Sequence, residues 1–321
     1  MELVRDRAAA KSLCRAWTAA GETLGLVPTM GALHEGHASL IRRSVADNDR
    51  TVVSIFVNPT QFAPTEDYGS YPRDLERDCA LCESLGADAV FAPAPSEMYA
   101  DHMTWISQDT LTEHLEGASR PSHFRGVLTV VTKLLNIVRP DRAYFGEKDA
   151  QQLAVVTKMA ADLDFDTEIV SCPIARDGDG LALSSRNRRL SVDERRAAVV
   201  VPRSLECGRR VISPGCASAD VERAISEVLA SEPLASVDYV SVSDAATLSP
   251  VERVDDAVLV SVAVRIGSVR LLDNFSYDPA APPGGPDPAA ATDPAAAAAS
   301  AAATASAAAT DSAAPAAPEG D

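Results

Sequence analysis

The chain has 321 residues, and 46 acidic residues against 29 Lys and Arg give it a formal net charge of −17. This balance argues against a nucleic-acid partner, because phosphate neutralisation needs a surplus of Lys and Arg. No stretch approaches roughly 18 consecutive apolar residues, so no membrane span is expected. The charged start lacks the apolar core of a secretory signal. Six scattered cysteines are typical of reduced thiols, so the expected location is cytoplasmic.

The last 44 residues differ in composition from the rest. From Asp278 to Asp321 the chain is nearly half Ala, with eight Pro and six acidic residues, and it has no Lys, Arg, aromatic, Leu, Ile or Val. A segment with so few apolar side chains is predicted to be a disordered tail. A tail that binds a partner is the alternative. The folded part is therefore predicted to be residues 1–277.

The first part of the chain alternates between apolar, β-branched runs and segments with helical spacing. This alternation predicts a parallel, doubly wound, Rossmann-like sheet, whose ligands bind at the carboxyl ends of the strands. The predicted strands are residues 23–28, 51–58, 87–92, 142–145 and 166–172, and the predicted helices are residues 37–49, 75–85, 125–138 and 151–163.

The pattern changes after about Pro173. Two helices, residues 192–208 and 219–229, precede three short strands, residues 237–242, 258–264 and 268–272. The sequence therefore predicts an α/β protein with three parts. These are a nucleotide-binding domain (residues 1–174), a smaller α+β lid domain (residues 175–277) and the tail (residues 278–321).

The first candidate site is the segment from Val27 to His37, between a predicted strand and a predicted helix. Gly31 and Gly36 let the backbone approach a ligand closely, and a helix N-terminus favours an anion. Imidazoles at His34 and His37 can donate hydrogen bonds to phosphate oxygens. Two alternatives remain, a structural histidine pair and a metal site, although H-E-G-H is not the H-E-x-x-H pattern of zinc hydrolases.

The second candidate segment, residues 145–152, follows the fourth predicted strand. Lys148 is a flexible point charge suited to a phosphate, and Asp149 can hold Mg²⁺ or a ribose hydroxyl. An ordinary polar turn with a surface Lys–Asp pair is an equally good interpretation of this segment alone.

The third candidate segment, residues 177–187, is rich in glycine and ends in Ser184-Ser185-Arg186-Asn187. Two hydroxyls and a guanidinium can hold phosphates from the far side, and the glycines let such a loop close over a nucleotide. An interdomain linker with a helix N-cap is the alternative.

Two further segments carry polar groups next to predicted elements. Asn58 and Gln61 follow the second strand and offer neutral donors and acceptors, which suit a small polyhydroxy acid. The basic loop at residues 120–126 precedes the long helix, where it either steers anions or caps the helix.

A resemblance to a known family rests on five motifs in order: VPTMGALHEGH, SIFVNPTQF, RPSHFRGV, FGEKDAQQL and DGLALSSRN. Together they resemble the pantothenate synthetase (pantoate–β-alanine ligase) family, and RLLDN, which ends at Asn274, fits that family's ending. The family shares a HIGH-like signature with class I aminoacyl-tRNA synthetases, and the SSRN loop resembles their mobile KMSKS-type loop. The resemblance covers about residues 24–274 and omits the tail.

The resemblance implies site residues at the matching positions. Leu183 and Thr60 depart from it, since Met is common at both places. The implied catalytic residues are His37, His34, Lys148 and Arg186. The implied ATP-binding residues are Met30, Gly31, His34, Gly36, His37, Gly146, Glu147, Lys148, Asp149, Ala175, Leu183, Ser184, Ser185 and Arg186. The implied pantoate and β-alanine residues are Gln61, Gln152, Asn58 and Met30, and Asp149 is the implied contact for Mg²⁺ brought by ATP.

The function implied by the resemblance is ATP-dependent condensation of pantoate with β-alanine to pantothenate, through a pantoyl adenylate, with release of AMP and pyrophosphate. Mg²⁺ with ATP as co-substrate is expected, no organic prosthetic group is expected, and family members are commonly homodimers. Two other hypotheses stay open. One is another HIGH-motif nucleotidyltransferase acting on a different small acceptor, and the other is a non-enzymatic nucleotide-binding scaffold.

Overall fold

A computed structural model describes residues 1–64, 66 and 68–280 of the chain. The predicted tail lies outside the described residues from position 281 onward. Among the described residues, none of the helices has the length and apolar character needed to cross a membrane.

The first part of the chain forms a parallel sheet of six strands in the order β1-β4-β3-β2-β5-β6. Its middle strand, β2, pairs with β3 along its whole length and with β5 on the other side. After β2 the chain adds β3 and β4 on one side of β2, and it then adds β5 and β6 on the other side. The strand order therefore reverses between β2 and β5. The six strands are β1 Glu2–Val4, β2 Leu24–Thr29, β3 Arg50–Ile55, β4 Ala89–Phe91, β5 Arg142–Gly146 and β6 Glu168–Cys172.

Helices cover both faces of this sheet, because successive side chains of a buried strand point to opposite faces. Leu26 and Val52 pack into one apolar cluster with α1, α6 and α7, and Val27 and Val53 pack into another with α2 and α3. The helices are α1 Arg7–Ala19, α2 Glu35–Asp47, α3 Leu75–Ser84, α4 Pro95–Tyr99, α5 Glu116–Ser119, α6 His123–Val138 and α7 Ala150–Asp162.

The second part forms an antiparallel sheet in the order β7-β8-β9. Its own apolar cluster packs side chains of α9 and α10, such as Leu205 and Ile225, against strand residues such as Val262 and Val264. The elements of this part are α8 Val192–Ala197, α9 Val200–Val211, α10 Ser218–Ala230, β7 Ala235–Asp244, β8 Val258–Ile266 and β9 Val269–Tyr277.

The predicted α/β fold, with a parallel sheet and a smaller α+β part, is confirmed, and two details differ. The predicted helix at residues 192–208 is two helices, because Pro202 cannot donate to the carbonyl of Ala198 and its ring crowds that carbonyl. The first strand and the helices α1, α4 and α5 are absent from the prediction. Asp6 caps α1 by accepting from the N–H of Ala9, 2.8 Å away.

Candidate active site

The candidate residues gather at the carboxyl ends of β2 and β5, where the strand order reverses. Ligands of open parallel sheets bind at such a reversal. Three adjoining cavities of about 220, 530 and 110 Å³ lie there. Among the described residues, Gln61, Lys148 and Arg186 line all three cavities. These three side chains therefore mark the place where the cavities meet.

Residues 30–37 link β2 to α2 and are here called the histidine turn. A carboxylate holds this turn by bonding to its backbone. Gly31 and Ala32 both have positive φ, +80° and +52°. Asp78 of α3 accepts hydrogen bonds from the backbone N–H groups of Ala32 (2.7 Å) and Leu33 (2.9 Å). Its side chain is buried, since the residue is 1% exposed. Both bonds are charge-assisted and buried, so they fix the turn strongly.

The two histidines lie against each other at the start of α2. His34 is the N-cap residue, and its Nδ1 accepts from the N–H of Gly36 at 3.1 Å. A Cβ at position 36 would lie 2.9 Å from the His34 ring, so this close approach requires glycine. The ring centroids of His34 and His37 are 4.1 Å apart. Nδ1 of His37 is buried and has no hydrogen-bond partner among the described residues.

Both imidazoles are neutral at pH 7. Burial lowers the pKa of His34 to about 4, with help from the positive charges of Lys148 and Arg188. Burial also lowers the pKa of His37 to about 3, and His34 adds to the effect. Because Nδ1 of His34 accepts a hydrogen bond, its proton is on Nε2. These rings therefore offer N–H dipoles to a ligand, and the positive charge comes from Lys148 and Arg186.

Lys148 lies in a short 3₁₀ helix, Glu147–Asp149, that directly follows β5. Its Nζ is 3.4 Å from a carboxylate oxygen of Asp149, and its side chain is 20% exposed. The neighbouring Glu147 side chain turns away and accepts from the Ser171 hydroxyl at 2.6 Å. The strand end thus directs one cation toward the cavities.

The glycine-rich segment of residues 177–187, here called the serine–arginine loop, closes the opposite side of the 220 Å³ cavity. Ser184 caps a 3₁₀ helix, Ser185–Arg189, by accepting from the N–H of Arg186 at 3.3 Å. The hydroxyl of Tyr71 is 3.4 Å from that of Ser185. Just beyond the loop, Arg188 donates to the backbone carbonyl of Leu33 at 2.8 Å. This bond ties the 3₁₀ helix at the end of the loop to the histidine turn.

Gln61 has its amide set in place by neighbours on both sides. Its Oε1 accepts from Nδ2 of Asn58 at 3.0 Å, and its Nε2 is 3.1 Å from the sulfur of Met30. Its backbone carbonyl accepts from Nδ1 of His123 at 3.0 Å, while the guanidinium of Arg120 donates to Nε2 of the same ring at 3.2 Å. Burial, followed by Arg120, lowers the pKa of His123 to about 4, so this ring is neutral too.

The basic loop at residues 120–126 has a structural role in this arrangement. Arg120 is bound in a bidentate pair to Glu66, at 2.6 and 2.8 Å. At Gly126 a Cβ would lie 2.5 Å from the carbonyl of Thr60, so α6 approaches the Gln61 turn closely. The loop therefore positions the Gln61 segment and begins α6.

Most of the residues predicted from the sequence share these cavities. Gly31, Glu147 and Asn58 line none of the three among the described residues: Gly31 shapes the turn, Glu147 bonds to Ser171, and Asn58 orients Gln61. The others line at least one cavity, namely Met30, His34, Gly36, His37, Gln61, Gly146, Lys148, Asp149, Gln152, Ala175, Leu183, Ser184, Ser185 and Arg186.

Comparison with known proteins identifies the family. A profile described as pantoate-beta-alanine ligase matches residues 2–276. The chain belongs to this family. A pantothenate synthetase from Ruminiclostridium cellulolyticum is 54% identical over 271 residues, 84% of this chain and 96% of the relative. One from Clostridium acetobutylicum is 50% identical over 280 residues, 87% of this chain and 100% of the relative.

Solved structures agree with this assignment. The pantothenate synthetase of Thermus thermophilus has a TM-score of 0.80 and 44% identity, and the match covers 86% of this chain and 99% of that one. The pantoate–β-alanine ligase of Francisella tularensis, in complex with β-γ ATP and β-alanine, has a TM-score of 0.72 and 34% identity, with coverage of 86% and 97%. The chain is thus a ligase of the family that joins pantoate and β-alanine to form pantothenate.

Sequence reasoning about this ligase missed several residues that hold the site. The buried Asp78 had no signal except one acidic residue on a helix, and Arg188 was one of several arginines near the SSRN motif. Asn274 was noted only as the end of RLLDN, yet its amide reaches the backbone of Glu147 and Lys148. Each of them contacts a main-chain group far away in sequence, and such partners leave no local pattern.

Proposed function

We propose that the protein condenses pantoate with β-alanine in two ATP-dependent steps, through a pantoyl adenylate, with release of pyrophosphate and AMP. One observation carries this proposal. Gln61, a neutral amide, meets the cations Lys148 and Arg186 at the junction of the three cavities. A site suited to a hydroxy acid would therefore adjoin a site suited to phosphates.

The phosphates of ATP would lie between the histidine turn and the serine–arginine loop. There His34 and His37 would donate hydrogen bonds, and Lys148 and Arg186 would supply positive charge. The nucleotide would occupy the 220 Å³ cavity, whose lining joins both segments to Gly146 and Ala175. The Francisella tularensis relative, in complex with β-γ ATP and β-alanine, supports a nucleotide in this family's site.

Pantoate would bind beside Gln61, Gln152 and Met30. Neutral amides can bond both hydroxyls and a carboxylate, whereas a phosphate-bearing acceptor would call for an additional arginine. Asn58 would act through Gln61, since its Nδ2 fixes Oε1 of that side chain. This leaves the Nε2 end of the Gln61 amide directed to the side where Met30 lies.

The first step needs no general base, because a carboxylate with a pKa near about 4 is already ionised at pH 7. A carboxylate oxygen of pantoate forms a bond to the α-phosphorus as the bond to the β-phosphate oxygen breaks, and pyrophosphate leaves. The difficulty is repulsion between two anions. Lys148 and Arg186 lower it in a protein whose net charge is −17.

In the second step the amine of β-alanine attacks the acyl carbon of the mixed anhydride and AMP leaves. The attacking amine must first lose a proton, since its pKa lies in the lysine range of about 10. Water would destroy the anhydride, so we propose that residues 175–277 act as a lid domain whose serine–arginine loop shields it.

Mg²⁺ would reach this site with ATP. Among the described residues, no group of three or more His, Cys, Asp and Glu side chains is arranged to hold a metal ion. Mg²⁺ commonly binds through one or two carboxylates and the substrate phosphates, and Asp149 at the cavity edge fits that use. When bound, Mg²⁺ would neutralise phosphate charge.

We also propose a homodimer, which light scattering during size-exclusion chromatography would test.

The decisive experiment measures pyrophosphate and AMP from ATP and Mg²⁺ with pantoate, with and without β-alanine. Pyrophosphate in amounts matching the enzyme with pantoate alone, and AMP in turnover amounts only with both substrates, are the expected results. Pyrophosphate release with a different acid in place of pantoate would favour another nucleotidyltransferase. No product with any acceptor would favour a nucleotide-binding scaffold.

A further inference from the structure

Asn274 of β9 makes an unusual contact with the segment that carries Lys148. Its side-chain Nδ2 donates to the backbone carbonyls of Glu147 (3.0 Å) and Lys148 (2.9 Å). Asn274 is 6% exposed. The antiparallel sheet thus reaches the backbone at the carboxyl end of β5 through one amide group that uses both of its N–H bonds.

The backbone of Asn274 is fixed by the carboxylate of the preceding residue, Asp273. Asp273 is 2% exposed, and its carboxylate accepts two bonds from Arg176, at 2.7 and 3.0 Å. The same carboxylate accepts the backbone N–H of Asn274 at 2.8 Å. Arg176 also donates to the carbonyl of Gly180 at 3.0 Å. One buried pair therefore fixes the Asn274 backbone and the start of the serine–arginine loop together.

We propose that Asn274 is a positioning residue for Lys148, which rests on the proposed function because the ligand of Lys148 is taken to be ATP. A lysine side chain is long and flexible, so the place of its ammonium depends on how firmly its backbone is held. A carboxylate at position 274 cannot donate, and a methyl group leaves both carbonyls without this partner.

A general role in joining the two sheets would not require contact with Lys148. That role is served elsewhere by Glu116, which accepts from Arg270 at 2.7 and 2.8 Å and from the hydroxyl of Tyr239 at 3.1 Å. Tyr239→Phe therefore removes a contact between the same two parts that does not involve the backbone of Glu147 or Lys148, and it serves as the matched control.

The test is a double-mutant cycle on the full chain, with Mg-ATP binding measured by calorimetry and initial rates measured for pyrophosphate release. Asn274→Ala is expected to weaken ATP binding about 10- to 100-fold, as the loss of a hydrogen bond between charged groups would. It should raise the KM for ATP much more than the KM for pantoate. In a Lys148→Met background the same change should have less than about a twofold effect, because coupled residues are not additive.

Each outcome decides the matter. An Asn274→Ala effect of equal size with and without Lys148, or equal to that of Tyr239→Phe, would overturn the inference. Wild-type protein that binds ATP while Asn274→Ala binds it as tightly would overturn the inference alone. Wild-type protein that binds no ATP would overturn the proposed function and the inference with it. If Asn274→Ala unfolds, Asn274→Ser, whose hydroxyl can donate at most one of the two bonds, takes its place in the cycle.

Discussion

The histidine turn and the serine–arginine loop face the same cavity, but they are held in different ways. The turn rests on the buried Asp78, whose carboxylate accepts two backbone N–H groups. The start of the loop is held by Arg176, which bonds Gly180 and the buried Asp273. Other ion pairs of the loop are exposed: Arg195 pairs with Asp177 (2.8 Å) and Asp179 (2.7 Å). These two carboxylate side chains are 55% and 38% exposed, so water competes for both pairs.

The difference indicates that the histidine turn is the preorganised side of the site. Buried, charge-assisted bonds hold one geometry, whereas exposed ion pairs contribute only about 0–1 kcal/mol each. The turn can therefore present His34 and His37 without rearrangement when a ligand arrives. The part of the loop held by the Arg195 pairs can shift at lower cost than the turn, which suits the covering role proposed for it.

The largest effect is expected from breaking the support of the turn. Asp78→Ala leaves the N–H groups of Ala32 and Leu33 buried without a partner, at a cost of about 1–3 kcal/mol each. We expect the free energy of unfolding in urea to fall by about 2–5 kcal/mol. Activity should fall as well, because Gly31 and Ala32 are then free to leave their positive-φ conformations.

Asp74→Ala is the matched control on the same helix. Asp74 is the N-cap of α3, and its side chain accepts from the N–H of Arg77 at 3.1 Å. Losing a cap of this kind costs about 1 kcal/mol. An Asp78→Ala protein no less stable than the Asp74→Ala protein would show that the turn keeps its shape without the carboxylate.

The second largest effect is expected on catalysis by the histidine turn. His37→Ala removes one N–H donor without removing a support of the turn, and loss of a donor to developing charge costs about 10²–10³ in kcat. Pyrophosphate release measured at saturating ATP and pantoate checks this. His102→Ala, which lies outside the three cavities, should keep nearly full activity. Equal rates for both variants would contradict the assigned role.

The third effect is a loss of stability on acidification. The pKa of His34, His37 and His123 is lowered to about 4, about 3 and about 4. The unfolded chain binds these protons near pH 6.5 and the folded chain does not, so stability falls as the pH drops from about 6.5 toward 4. At pH 5 each histidine should cost up to about 2 kcal/mol.

Urea unfolding at pH 7 and pH 5 measures this slope. His123→Gln should reduce the pH-dependent loss by about one third, even if it lowers stability at both pH values. Saturating ATP should reduce it too, because phosphate charge beside His34 and His37 raises their pKa. A slope that His123→Gln leaves unchanged would mean that this ring is not the neutral, buried group described above.

The sequence predicts the elements and residues whose role depends on neighbours close in sequence. It does not predict residues whose partners are far away in sequence. Apolar runs predict β2 and β3, since a strand buried on both faces has a continuous apolar pattern. His34, Lys148 and Arg186 were found because each lies in a motif of distinctive residues that are close together in sequence. The break at Pro202 was overlooked, although proline gives a local signal for it.

The supports of the site could not be predicted in this way. Asp78 is 46 residues from Ala32, and Asn274 is 126 residues from Lys148. Their partners are backbone groups, which every residue carries, so no residue type marks the contact in sequence. Only the packing of α3 and β9 against the parallel sheet brings these pairs together.

The smallest effect is expected from loosening the loop. Arg195→Ala removes two exposed pairs, so the unfolding free energy should change by less than about 1 kcal/mol. The loop would then spend less time in its closed position. The apparent affinity for ATP should fall in proportion to the fraction of molecules with a closed loop, about two- to fivefold.

Arg196→Ala is the control one residue further on, since Arg196 pairs with Asp193, whose side chain is 83% exposed. A rise in the KM for ATP with Arg195→Ala alone, and no change in the unfolding midpoint, would separate loop closure from stability. Equal KM values for the two variants would mean that the loop is held by Arg176 and Asn187 instead, which bond to Gly180 and Ala182.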